Sequence, residues 1–416
     1  MRNKARFPKF GQLAAALFLT AVFFLPDAHG AEFNAKSSVS VSEQYNDNIY
    51  LTESGRTTDY ITRVLPSFDL NYKAPLWKWD MAYTLDYRHY ANGSVADNFA
   101  HDLLLDNSTE LLKKFFYLDV KEQYTRASLS LTRNYTQESL FVNQSDRNDA
   151  VITPHFVFRP GAETTMDLGY TYENIWYKNS LATKKQDHSV HVEVKDNASE
   201  KLELSAGAAY LIEKNDIEDF NKIDLHAGSK YTYAPGSYVF FTIGGNIFDF
   251  KNSGTSDQLT WDAGINQKFR VFSAKLETSS QVTEDPTNIA QKTDTYSISV
   301  SSDSLRTPVS IGLTLGEYRD VRTETLRTRT YGVTGAVSHQ FTEQFRGSAS
   351  VTAQKLEDKL YASYTNQVFS QLGLNYMLSG KLALSLNYLF IYSHSPKILT
   401  DRYLNNQITA GVTLSM

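Results

Sequence analysis

The stretch "LALSLNYLFIY", residues 382–392, places Leu382, Leu384, Leu386, Tyr388, Phe390 and Tyr392 at every second position, with Ala383, Ser385 and Asn387 between them. A period of two marks a β-strand with one apolar and one polar face. Its length matches a tilted strand that crosses a bilayer in ~9–11 residues.

The same pattern recurs along the chain. Leu202, Leu204, Ala206, Ala208, Tyr210 and Ile212 alternate with Glu203, Ser205 and Gly207. Leu259, Trp261, Ala263 and Ile265 alternate with Thr260, Asp262, Gly264 and Asn266, and Val309, Ile311, Leu313 and Leu315 with Ser310, Gly312 and Thr314. Val39 and Val41 begin the series, and Ile408, Ala410, Val412, Leu414 and Met416 end it. Helical spacing is nearly absent, and no Gly/Ser or Pro linker divides the chain.

The connectors alternate too. Short ones fall near 73–76, 112–114, 159–162, 197–200, 234–237, 342–344 and 378–380; longer polar ones lie between them, at 49–58, 91–98, 130–148 and onward to 393–401. Short turns at one end and long loops at the other are the layout of an outer-membrane barrel. The pattern predicts an all-β fold: a transmembrane antiparallel up-and-down β-barrel of about 20 strands (18–20), with both chain ends on the periplasmic side. The strands near 149–158 and 272–282 are weakly marked. A soluble propeller would repeat every ~40 residues, and no such repeat is present.

Composition agrees. Aromatics make up 13% of residues, with Tyr 26 and Phe 24 against Trp 4, yet the mean hydropathy is −0.38. A barrel reconciles the two, because lipid-facing and lumen-facing residues alternate. Trp77, Trp79, Tyr90, Tyr117, Tyr172, Trp176, Tyr231, Tyr238, Tyr388 and Phe390 cluster towards strand ends, where aromatic girdles are expected. The formal net charge of −5 carries no nucleic-acid footprint. Cys is 0, which removes disulfides, thiolate metal sites and covalent haem attachment.

At the N-terminus, Arg2, Lys4, Arg6 and Lys9 precede the apolar run "LAAALFLTAVFFL" (13–25), and Ala28 and Gly30 stand at −3 and −1 of a cut before Ala31. This is the pattern of a secretory signal peptide over 1–30. The expected organisation is then a short periplasmic segment, 31–36, and a barrel over 37–416. So brief a lead-in leaves no room for a plug domain.

With the apolar parity facing lipid, the other parity lines the lumen. That set comprises Asp80, Asp86, Arg88, Asp102, Asp106, Asp119, Lys121, Asp167, Glu173, Glu203, Asp224, Lys230, Asp262, Lys275 and Glu277, with Asn, Gln, Ser, Thr and Gly filling the rest. A polar interior is that of a water-filled pore. The set leans acidic, which suits cations or neutral glycans. The longest predicted loop, "SLTRNYTQESLFVNQSDRN" (130–148), carries Arg133, Glu138, Asp146 and Arg147 around apolar Leu140-Phe141-Val142. Either it folds inward and constricts the pore, or it stands in solvent.

Chemistry-bearing motifs are missing. There is no G-x-S-x-G, Walker loop or H-E-x-x-H. His188 and His191 resemble a metal pair, but residues three apart on a strand face opposite ways. "SDRNDA" (145–150) lacks the Gly and closing Glu of a calcium loop. No enzyme activity, cofactor or metal is expected.

The stretch "SVSVSEQYNDNIYLTESGRTTDYITRVLPSFDLNY" (38–72) resembles the start of the beta-barrel porin 2-like outer-membrane family associated with PEP-CTERM/exosortase and exopolysaccharide loci. The matching positions are Tyr45, Asp47, Asn48, Asp59, Thr62 and Pro66. This chain departs from the family in Ser67, where Gly often follows the Pro, and in Met416, where an aromatic residue is usual. The resemblance implies an outer-membrane pore for a secreted polysaccharide in a Gram-negative bacterium, partnered by a periplasmic polysaccharide export protein and in contact with the glycan and with membrane lipid. Two other readings stay open: a general diffusion porin for small hydrophilic solutes, and the sheath of an extracellular electron-transfer conduit whose haems sit on partners.

Overall fold

The computed structural model describes residues 30–287, 290–302 and 304–416; the expected signal peptide lies almost wholly outside them. Twenty strands, β1 (Glu32–Asn46) to β20 (Tyr403–Ser415), run antiparallel, each paired with its neighbours in sequence. β1 pairs with β20 from Ser38↔Ser415 to Asn46↔Gln407 and closes the sheet on itself. Closure leaves no open edge, so the backbone groups at membrane depth find partners within the sheet. Among the described residues no helix is long and apolar enough to cross a membrane; the crossings are made by strands. Twenty strands spaced ~4.8 Å apart and tilted ~40° close a ring on the order of 40 Å across.

Most bounds follow the alternation, and two differ from expectation. β1 begins at Glu32, inside the segment expected to lead into the barrel. Glu32–Lys36 pair only with β2 (Asp59–Lys73), extending beyond Ser37, which exchanges backbone hydrogen bonds with Met416. The weakly marked strands are full length, β6 at Gln144–Phe158 and β13 at Phe272–Glu284. The loop before β6 therefore ends at Asn143. Asp146 and Arg147 belong to the strand: Asp146 accepts from Arg126 Nε at 3.1 Å and meets Lys178 Nζ at 3.3 Å, while Arg147 pairs with Asp149 at 2.7 Å.

The outer face carries the large apolar side chains expected to meet lipid, among them Val190, Leu225, Leu259, Ile311, Val333, Leu372 and Leu414, all exposed. The inner face is polar through the middle of the barrel and apolar in patches at its long-loop end. There Ile49, Ile61 and Tyr90 pack with Leu140 and Phe141; Leu51, Ile391 and Tyr403 pack with Val142 and Phe369; and Phe220, Phe248 and Phe250 form a third cluster with Val321. These inward apolar groups break the polar parity because loops fold down over them and dehydrate them. Tyr90, Tyr117 and Tyr238, expected in the aromatic girdles, point inward: Tyr90 into the first of these clusters, Tyr117 against His155, and Tyr238 beneath the Lys230 ammonium at 4.9 Å.

Candidate functional site: the lumen and its latch

One register row shows how the inner wall is assembled. It runs Asp80↔Asp106↔Lys121↔Val151↔Glu173↔Asp187↔Glu213↔Phe220, climbing from the short-turn end to the long-loop end because the strands are staggered. Neighbouring rows place Asp86, Arg88, Asp102, Asp119, Asp167, Glu203, Asp224, Lys230, Asp262, Lys275 and Glu277 on the same inward parity. Asp86 is clasped by Arg63 at 2.7 Å and Arg88 at 2.6 Å, and Lys121 lies 3.7 Å from Asp106.

Registry also assembles a group that alternation alone does not reveal. His155 Nδ1 lies 2.6 Å from Asp167 and its Nε2 3.3 Å from Asp119; His191 Nε2 is 3.3 Å from the other Asp167 oxygen. Two strands on, His226 lies 3.1 Å from both Asp224 and Glu193. The rings lie flat against the wall because glycine sits beneath them. A Cβ on Gly169 would come within 2.5 Å of His191, and one on Gly207 within 2.1 Å of Glu193 and 2.5 Å of His226. His188 faces the outside instead, 2.6 Å from the Tyr170 hydroxyl, while His191 faces Asp167 inside.

The charged wall stops abruptly, and Glu277 on β13 is the last of the expected inward charges. From β14 (Ala290–Ser302) through β20 and on to β1, the inward residues in the middle of the barrel are Ser297, Thr314, Thr330, Ser350, Gln371, Asn387, Thr409, Ser42 and their like, without charge, and the inward charges of these strands stand towards the mouths: Glu32, Lys36 and Arg346 at the short-turn end, Asp320 and Asp358 at the long-loop end. The lumen therefore has two sides: an ionic one, and an uncharged one of hydroxyls, amides and glycines on eight adjacent strands.

The 129–143 loop folds inward over the uncharged side. Its short 3-10 turn, Tyr135–Gln137, stands beside another at Leu399–Asp401. Arg133 joins them. Its guanidinium donates to Glu138 at 2.8 and 2.7 Å, to Asp401 at 2.7 Å and to the Tyr403 hydroxyl at 2.5 Å, and it lies over the Tyr135 ring at 4.3 Å. The Tyr403 hydroxyl donates in turn to Glu138. Thr365 Oγ1 donates to Asp401 at 2.7 Å and Gln407 Nε2 to the Glu138 carbonyl at 3.1 Å. Arg133 and Glu138 are buried. Burial works against the Arg133 charge, but hydrogen bonds and the charge of Glu138 outweigh it and hold its pKa above the ordinary arginine value. Arg88 and Arg126 both donate to the Leu140 carbonyl, fixing the loop's return.

Other loops meet across the same mouth. Thr183 N donates to Pro286 O at 2.8 Å, joining the loops after β7 and β13. Glu218, after β9, accepts from Ser253 and from the backbone of Asn252 and Ser253, and lies 3.7 Å from Arg322 in the loop after β15. Those hydrogen bonds, led by the one from Ser253, and the nearby Arg322 charge hold the Glu218 carboxyl below its usual range.

Comparison with solved structures returns outer-membrane barrels. The siderophore receptor PirA from Pseudomonas aeruginosa aligns over 92% of this chain and 80% of its own, at 11% identity and a TM-score of 0.54. The FrpB iron transporter from Neisseria meningitidis (F5-1 variant) aligns over 92% and 81%, at 10% identity and a TM-score of 0.55. A single-site mutant of the ferric enterobactin receptor PfeA from Pseudomonas aeruginosa aligns over 92% and 80%, at 8% identity and a TM-score of 0.53. This chain is an outer-membrane β-barrel. Its closed wall and apolar outer face put it in contact with the lipid of a Gram-negative outer membrane. At such low identity the likeness carries the architecture and no ligand. No family profile matches the sequence, and no curated protein matches it.

Proposed function

We propose that the barrel is the outer-membrane pore through which a secreted polysaccharide leaves the cell, fed by a periplasmic export protein. The observation that carries this reading is the uncharged side of the lumen. Through the middle of the barrel eight adjacent strands offer hydroxyl and amide groups, which exchange hydrogen bonds with sugar hydroxyls as water does and hold no fixed charge there that would trap a passing chain. The 129–143 loop closes over the top of that side and acts as the gate. The resemblance of residues 38–72 to barrels of exopolysaccharide loci points the same way. The driving force for passage comes from polymerisation or from inner-membrane machinery.

The ionic side favours a second reading, a diffusion porin for small solutes, since facing charges across a constriction screen ions by sign. One experiment separates the two. Deleting the gene abolishes secreted polysaccharide if the barrel is the export pore, and leaves it intact while slowing uptake of small solutes if it is a porin.

A further inference from the structure

The outer surface also carries a charged feature that the lumen does not explain. At the long-loop end of β15 (Val309–Asp320), β16 (Leu326–Gln340) and β17 (Phe345–Asp358), the outward parity turns from apolar to ionic. Arg329 lies opposite Glu317 on one neighbour and Glu357 on the other. Arg319 and Arg329 hold Glu317, and Lys355 and Lys359 hold Glu357 at 2.7 and 2.6 Å.

The pairs are lopsided. The carboxylate side chains are 14–20% exposed and the cations 32–43%. The carboxylates are thus covered by the cations, which remain the accessible partners. Asp294 on β14 joins the two carboxylates, 3.6 Å from Arg319, so the four cations face three carboxylates, and neighbouring Lys292 on the same parity brings the excess to two positive charges. Just beside this patch, Lys355 Nζ lies 5.1 Å from the Tyr364 ring and Lys292 Nζ 5.7 Å from the Trp261 ring, the aromatic level at which a membrane interface is expected. Around the rim, on β1 to β4, the outward residues at this height are Glu43, Tyr87, His89 and Asp97, with no Lys or Arg among them.

We propose that this patch on β15–β17 binds the phosphate groups of the phosphorylated glycolipid that forms the outer leaflet. The long-loop end faces outward, so the patch stands at the level of that leaflet's headgroups, and paired guanidinium groups match phosphate oxygens in geometry as well as charge. The bound lipid would orient one side of the barrel against the lipid layer, independently of what passes through the lumen.

The test is native mass spectrometry of the full-length barrel in detergent, titrated with lipid A, with dephosphorylated lipid A and with phosphatidylglycerol. Wild-type protein is expected to retain lipid A and to prefer it to the dephosphorylated form about tenfold, ~1.4 kcal/mol. A variant neutral across the patch (R319Q, R329Q, K355Q, K359Q, E317Q and E357Q) should lose that preference, while H89Q/D97N on the opposite side keeps it. Equal binding of the phosphorylated and dephosphorylated forms by wild type overturns the proposal without reference to any variant. So does retention of lipid A by the neutral variant. Equal competition by phosphatidylglycerol overturns the assignment to glycolipid.

Discussion

Arg133 and Asp401 stand 268 positions apart in the chain and 2.7 Å apart in space. Their contact fastens the 129–143 loop to the loop before β20 and fixes how much of the lumen is open above the uncharged wall. Removing one partner of a buried ion pair leaves the other dehydrated and uncompensated, at a cost of about 3–5 kcal/mol. R133A is therefore expected to undock the loop and leave the wall intact. Single-channel conductance in planar bilayers should rise several-fold over wild type, with unchanged heat-modifiable mobility of the barrel. Unchanged conductance would show that the loop does not restrict the path.

A second expectation concerns acid. The Glu218 carboxyl is held below its usual range, so its contribution is complete above the ordinary glutamate value of ~4.3 and is lost as pH falls through the lower folded value. The bridge from Glu218 to Arg322 should open as the pH falls below the ordinary glutamate range, seen as faster hydrogen exchange in the 216–219 and 321–325 loops. E218Q should show that faster exchange already at neutral pH and no further acid step. An acid step that persists in E218Q would assign it to another group.

The glycine bed makes a third. G169A and G207A place a methyl where the His191 and His226 rings now lie. Overpacking of this kind costs about 1–3 kcal/mol. Both variants should lower the temperature at which the barrel loses its compact gel mobility, whereas G335A, whose added methyl meets nothing within 4 Å, should not. Equal behaviour of all three would remove the steric account.

Because the chain contains no cysteine, its inner and outer faces can be mapped one residue at a time. S350C should react with a membrane-impermeant maleimide through the water-filled lumen, and V351C, its neighbour on the lipid face, should not. Reaction at both positions would contradict the facing derived from the registers.

Much of this fold was legible in the sequence, because a strand's side-chain period of two survives any arrangement of its neighbours. "LALSLNYLFIY" has the facing that its spacing implies, and strand number and loop lengths follow from punctuation. What escaped depends on registry. His155, His191 and His226 share the polar parity with Asp119, Asp167 and Asp224, but nothing within one strand says which residues on the next will meet them. Ile61, Tyr90 and Ile391 are apolar on the polar parity, and Ile49 and Leu51 of the loop after β1 together with the inward fold of 129–143 explain them. Its Leu140-Phe141-Val142 run was the available signal: three apolar residues in a polar loop need a surface to cover. The partners of Arg133 outside its own loop, Tyr403 on β20 and Asp401 in the loop before it, could not be read from the loop itself. The end of the mid-barrel inward charges at Glu277, by contrast, lies in the residue order and needed only the closed barrel to become one side of a lumen.

The central claim is that this barrel passes a polysaccharide, and secretion measures it most directly. A strain lacking the gene, complemented with wild type or with a variant carrying lysines on the uncharged wall (S297K, T314K, S350K), would be assayed for polymer in the medium and in the periplasm. Polymer should vanish from the medium and accumulate inside without the gene, return with wild type, and return poorly with a lysine variant that still folds and inserts. Undiminished polymer in the medium of the deletion strain would contradict the claim.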